Sequence, residues 1–173
     1  MLLTYSCITK SWAKPQYFTA SFENKDTGLS QILDIDGAFL CNVPEEEGTS
    51  FYITFFDNGL VALSGSKLPT KEYANLSDPP KNKKKEGWGS YSTSDSIVSV
   101  QIIADNGIYG LKTNRYFYKV IDRKHIRRIG YISYHNKYFE QNYIGDYVPV
   151  PNRMDSTNWL LKKKWFWKES AKK

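Results

Sequence analysis

The chain has 173 residues, a length that suits one domain with a sizeable core rather than two domains. Aromatic residues make up 16% of it, and strand-favouring types dominate while long Leu/Ala/Glu tracts are missing, so the composition predicts an all-β fold. The formal charge is +6, but much of the excess lies in two runs, 81–85 and 162–164, as in solvated loops and tails. A nucleic-acid groove would need charge spread over a face, so we expect no nucleic-acid partner.

The N-terminal segment contains a candidate lipid-attachment site at Cys7. A short apolar start and the small residue Ser6 precede this cysteine, as at the end of a bacterial lipoprotein signal. Residues 1–16 are therefore interpreted as a tether, made of the remnant of such a signal and a linker. No other stretch approaches the roughly 18 apolar residues of a spanning helix, so attachment to a membrane would come from the lipid. There are two alternatives to lipid attachment: Cys7 forms a disulfide with Cys41, or Cys7 has no role.

Residues 17–33, after the tether, predict a strand and then a helical element. The segment 17–22 favours a first strand. Residues 26–33 begin with a capping-type sequence and place apolar side chains three and four positions apart, at Leu29, Ile32 and Leu33. This spacing predicts one or two helical turns, which could close one end of a barrel.

From residue 37 onwards, strands follow one another in sequential hairpins. In the central hairpin, Val98, Val100 and Ile102 alternate with polar residues, which is typical of a half-buried antiparallel strand. The remaining pattern predicts strands at 38–43, 51–56, 60–64, 115–121, 125–134 and 138–150, the last of them broken at Gly145, with the two arms of the central hairpin within 87–103 and a long polar loop at 66–86. Sequential hairpins of this number predict an antiparallel up-and-down barrel of about eight strands.

The end of the chain predicts a short helix. Residues 155–158 are all N-cap types and precede Trp159, and the lysine run 162–164 suits the C-terminal end of a helix. Trp165–Trp167 then forms an aromatic segment that either docks on the barrel wall or anchors at a membrane interface. The domain is therefore expected to span residues 17–168, followed by a basic tail at 169–173.

Three motifs in this order resemble a known family: Phe55-Phe56-Asp57-Asn58-Gly59-Leu60-Val61, Gly87-Trp88-Gly89-Ser90-Tyr91, and Asp155 to Lys162 closing on Trp165-Phe166-Trp167. They are similar to motifs of small lipocalin-like lipoproteins of Bacteroides-type bacteria, over about residues 36–168. The resemblance implies a calycin-type barrel with a helix packed outside. It also implies attachment through a lipidated N-terminal cysteine in the cell envelope, at the outer membrane or facing the periplasm. Most such proteins have no assigned activity.

Searches of the sequence for chemistry give no candidate. The two histidines, His125 and His135, have no neighbours at metal-ligand spacing, so we expect no metal site. No nucleophile elbow, phosphate-binding loop or dinucleotide fingerprint is present, so we expect no catalytic residue and no cofactor. An enzyme therefore ranks behind two other classes of protein.

The leading hypothesis is a monomeric, non-catalytic binding module whose barrel takes up a small hydrophobic molecule or lipid. The aromatic residues proposed to line its cavity are Trp88, Tyr91, Tyr116, Tyr118 and Tyr131, because a phenol combines an apolar wall with a hydrogen-bonding tip. The same rings could instead fill the barrel. The protein would then be an interaction module of the envelope that acts through its lysine-rich loop and its aromatic C-terminal segment.

Overall fold

Eight antiparallel strands close into an up-and-down barrel in the computed structural model, which describes residues 14–15, 18–43, 50–66, 87–105, 111–150, 156 and 158–168. Each strand pairs with the next one along the chain, and the last pairs with the first, Phe39 lying opposite Tyr147. The predicted fold class is therefore confirmed. The strands are β1 (Ala38–Asn42), β2 (Ser50–Phe55), β3 (Leu60–Ser66), β4 (Trp88–Ser94), β5 (Ile97–Asp105), β6 (Leu111–Asp122), β7 (His125–Ile132) and β8 (Tyr138–Val148).

Two local predictions were wrong. Residues 18–22 form no strand of the barrel, and Phe22 makes only a single parallel bridge to Trp167. Once β1 has paired with β8, the barrel has no free edge that another strand could extend. Gly145 does not break β8, because it pairs with both Cys41 and Ile126. A glycine is needed there since a Cβ atom would lie only 2.5 Å from the Cys41 sulfur.

The interior of the barrel is a single hydrophobic cluster that collects side chains from all eight strands. One end of it is closed by a short 3₁₀ turn, Leu29–Gln31, where the sequence predicted helical turns. Leu29 and Leu33 from this segment are at most 1% exposed and belong to the interior cluster. We call this the plugged end; the turns β2–β3, β4–β5 and β6–β7 lie there, and the opposite end of the barrel is called the far end.

A second hydrophobic cluster covers the outer face of β3 to β6. The C-terminal segment forms two 3₁₀ turns, Trp159–Lys162 and Lys164–Phe166, instead of the predicted helix, and the first is capped by the Asn158 side chain, which accepts from the Leu160 N–H at 2.9 Å. Phe166 is fully buried and stacks on Phe22, with ring centroids 5.0 Å apart. The aromatic segment therefore docks on the barrel wall.

The predicted loop at 66–86, beyond Ser66, and the tail at 169–173 lie outside the described residues. In the described part of the chain, no helix has the length and apolar character needed to cross a membrane.

Candidate functional site

A charged side chain lies inside the barrel. Arg128 is on β7, one inward-facing position beyond Ile126 and therefore farther from the plugged end. It lies between Tyr118 on β6 and Tyr143 on β8 in the strand register, and it is only 7% exposed. Arginine is almost never buried to this degree without a partner of opposite charge.

Aromatic rings surround the guanidinium group of Arg128. Its central carbon lies 4.2 Å from the ring centroid of Tyr116, a distance at which the negative face of a ring attracts a cation. Three further rings have centroids between 5.3 and 5.4 Å from that carbon, those of Phe51, Tyr131 and Tyr143. We call Arg128 with these four rings the ring cage.

The groups near Arg128 do not supply a negative charge. Burial raises the pKa of Tyr116, and the nearby charge of Arg128 and hydrogen bonds from Asn114 and Arg128 only partly oppose this effect. Burial likewise raises the pKa of Tyr118, which has no exposed surface, and raises the pKa of the Cys41 thiol to about 12. Both phenols and the thiol are therefore neutral at physiological pH, while the guanidinium group stays charged.

The charge of Arg128 has no carboxylate partner among the residues that the structure describes. None of their ion pairs includes Arg128, and its buried Nε–H has no hydrogen-bond partner there. The Tyr118 hydroxyl, the next phenol toward the plugged end, is also buried without a partner in this part of the chain. A desolvated cation with an unused donor favours the approach of an anion, because Coulomb attraction is strong where water is excluded.

The five residues predicted to line a cavity occupy three different places. Tyr116 and Tyr131 belong to the ring cage, and Tyr118 lies next to Arg128 on the neighbouring strand. Tyr91 lies at the plugged end, where its hydroxyl donates to the Phe56 carbonyl at 2.7 Å. Trp88 is on the outer face, stacked on Phe56 in the cluster that holds the C-terminal segment.

Sequence reasoning missed Arg128, although the signal was present. The burial of β7 alternates from His125 to Arg128, so Arg128 shares the inward direction of Ile126 while Arg127 points outward. The doublet Arg127-Arg128 hides this alternation, because two adjacent charges suggest an exposed segment. Cys7 lies outside the described residues, and Cys41 is a free thiol buried in the interior cluster.

The ring cage continues toward the far end. The Tyr131 ring stacks on Phe139 with centroids 4.9 Å apart, and Phe139 is 36% exposed. The Lys137 ammonium group lies 5.2 Å from the centroid of Phe139. A row of aromatic faces therefore connects the buried guanidinium group to a partly exposed rim at Phe139 and Lys137.

No group of three or more potential metal ligands occurs among the described residues. No protein-family model, curated protein or solved structure matches the chain.

Proposed function

We propose that the protein is a non-catalytic binding module whose barrel takes up a small amphipathic molecule, with an apolar body and one acidic headgroup. The observation that carries this proposal is the burial of Arg128 in the ring cage without a carboxylate partner among the described residues. An acidic headgroup would use the free Nε–H and neutralise a charge that is costly to leave alone in an apolar interior.

The surroundings of Arg128 select the rest of the ligand. Tyr116, Tyr131 and Phe139 present ring faces and edges in sequence from the guanidinium group to the rim. An apolar chain or ring lying along them would lose contact with water, which is favourable in proportion to the apolar area removed. A fully hydrophilic anion would gain only the contact with Arg128.

We further propose that the protein resides in the bacterial cell envelope, held by a lipid on Cys7. The sequence around Cys7 and the family resemblance support this location. A carrier or receptor for an amphipathic acid fits a place beside a membrane, since membranes are the source of such molecules.

The alternative, an interaction module with a filled barrel, has less support. One of its two proposed contact surfaces, the aromatic C-terminal segment, packs on the protein's own barrel, where Leu160 and Phe166 are fully buried. The other, the lysine-rich loop, lies outside the described residues.

The experiment compares two ligands with the same number of carbons, one with an acidic headgroup and one with a neutral hydroxyl group. Dodecanoate and dodecanol are titrated into the full chain, and their affinities are measured by calorimetry. We expect the acid to bind at least about tenfold more tightly, equivalent to ~1.4 kcal/mol. R128M should remove this preference, because methionine keeps the apolar contacts of the side chain and loses the charge.

The matched control is R127M, which removes the neighbouring, outward-facing arginine of the same strand. It should leave the preference unchanged. R128M should fold, since replacing an unpaired buried charge by an apolar side chain is neutral or stabilising; near-ultraviolet circular dichroism checks this. The proposal is wrong if wild-type protein binds neither ligand, binds both equally, or responds in the same way to both variants.

A further inference from the structure

A groove lies on the outside of the barrel. It has a volume of about 440 Å³ and lies between the N-terminal segment 19–21 and the outer faces of β4, β5 and β6. Its volume falls in the range of roughly 300–1,000 Å³ that is typical of small-molecule sites. We call it the outer groove; it is separated from the ring cage by the barrel wall.

The floor of the outer groove consists of two rows of side chains that run across the sheet. The register places Ser90, Gln101 and Arg115 in one row, and it places Ser92, Ser99 and Phe117 in the next. Three of these six residues are serines, whose small side chains leave the space open. The floor therefore combines hydroxyl groups and one cation with one aromatic ring.

Residues 19–21 form the wall of the groove, and side chains of the floor hold this wall in place. The Gln101 amide oxygen accepts from the backbone N–H groups of Thr19 and Ala20, at 3.1 and 3.2 Å, and its nitrogen donates to the Thr19 hydroxyl at 2.8 Å. Arg115 donates to the same hydroxyl from Nη2 at 2.9 Å. The groove is thus a preformed feature of the fold, with its wall tied at both Gln101 and Arg115.

Two polar atoms at the groove are buried and have no partner among the described residues. They are the Ser90 hydroxyl, on a residue that is 4% exposed, and the Arg115 Nε–H. Buried polar atoms of this kind are rare in folded proteins and usually receive a partner from water or a ligand. Among the described residues that line the groove, Arg115 is the only charged one, so the groove carries a positive charge there.

We infer that the outer groove binds a small hydroxylated carboxylate of the size and chemistry of a sugar acid. The carboxylate would pair with Arg115, hydroxyl groups would exchange hydrogen bonds with the serines, and the C–H face of the ring would lie against Phe117. This site is independent of the proposed function of the barrel.

The test uses NMR titrations of the full chain with three probes, in which the ligand signals give the affinity and the protein amide signals locate the site. Glucuronate contains both the acid and the hydroxyl groups, glucose has only the hydroxyl groups, and propanoate has only the acid. We expect glucuronate to bind at least about tenfold more tightly than either of the others. Its addition should shift the backbone amide signals of Thr19 and Ser99, and saturating dodecanoate should not displace it.

Two pairs of variants locate the site. S90A should weaken glucuronate binding about threefold or more, the effect of one hydrogen bond. S94A, on the same face of β4 but outside the groove, should not. R115M should weaken binding at least about tenfold, while K119M, on the same face of β6, should have no effect.

S90A should fold like wild-type protein, since the Ser90 hydroxyl has no partner in the described structure. Weaker binding by this variant would therefore not be explained by unfolding. The inference is overturned if glucuronate binds no better than glucose. It is equally overturned if S90A and R115M bind glucuronate like wild-type protein, or if the shifted signals belong to the far end of the barrel.

Discussion

The two ends of the barrel interior are built in opposite ways. At the plugged end, apolar side chains of the segment 29–35 fill the space, and the Tyr91 hydroxyl is bonded to the Phe56 carbonyl and to the Thr27 hydroxyl. Toward the far end, Arg128 and Tyr118 are buried with polar atoms that have no partner among the described residues. A region that is complete by itself stabilises the fold, whereas a region with unused polar groups costs stability and can accept a ligand.

The largest expected effect comes from opening the plugged end. L33A removes a side chain with no exposed surface and should lower the free energy of unfolding by about 2–5 kcal/mol, because it leaves a cavity as well as losing buried area. I32A, at the neighbouring position that is 39% exposed, should cost less than about 1 kcal/mol. Denaturant unfolding measures both. Similar losses in the two variants would show that the segment does not act as a plug.

Two tyrosines compare a bonded hydroxyl at the plugged end with an unbonded one deeper in the barrel. Y91F removes a hydroxyl that donates to the Phe56 carbonyl and should cost about 0.5–1.5 kcal/mol, while the carbonyl keeps the Gly59 N–H as its other donor, at 3.1 Å. Y118F removes a hydroxyl with no partner in the described structure, so the free energy of unfolding should stay the same or rise. Thermal and denaturant unfolding of the two variants provide the measurement. A larger loss for Y118F than for Y91F would contradict the proposed difference between the ends.

The smallest effect is expected outside the barrel, where Glu23 links the N-terminal and C-terminal segments. Its carboxylate lies 2.6 Å from the Lys168 ammonium group and 2.6 Å from that of Lys25. Hydrogen bonds from Lys168 and then Lys25 are the main reasons that its pKa falls from 4.5 to about 2. Because the folded-state pKa is the lower one, the stabilisation is complete above about pH 4.5 and is lost as the pH falls toward 2.

The free energy of unfolding of E23Q should therefore depend less on pH in this acidic range than that of wild-type protein. Unfolding midpoints of wild-type protein and E23Q, measured across this window, should converge as the pH falls. The effect should be small because the three charged groups lie at the surface, where water screens the ion pairs. Parallel curves would show that the ion pairs of Glu23 do not contribute.

The hairpin order was predictable because strand periodicity and turn residues are local signals. Alternation in 97–103 and the turn at 57–59 place β2 to β5 within a few residues of their observed bounds. The helical turns at Leu29 were also visible, since their spacing is local. The prediction of a strand at 17–22 failed because its pairing depends on a free sheet edge, which a closed barrel does not offer.

The candidate site was only partly predictable, for a related reason. Alternation shows that Trp88 and Tyr91 point to opposite sides of β4, but both sides are covered by apolar residues, so the pattern does not tell which side is inside. The inward direction of Arg128 becomes clear only when Ile126, two residues before it, is known to face the interior.

The amino-acid sequence by itself determined that this chain forms sequential β-hairpins, because the preference of each segment for extended or turning backbone is set by its own residues. Tertiary structure alone decided which face of each strand is enclosed, which places Arg128 among rings and Trp88 beneath the C-terminal segment. The physical reason is that closure of the barrel depends on the pairing of β1 with β8, whose partner residues are about a hundred positions apart in the chain.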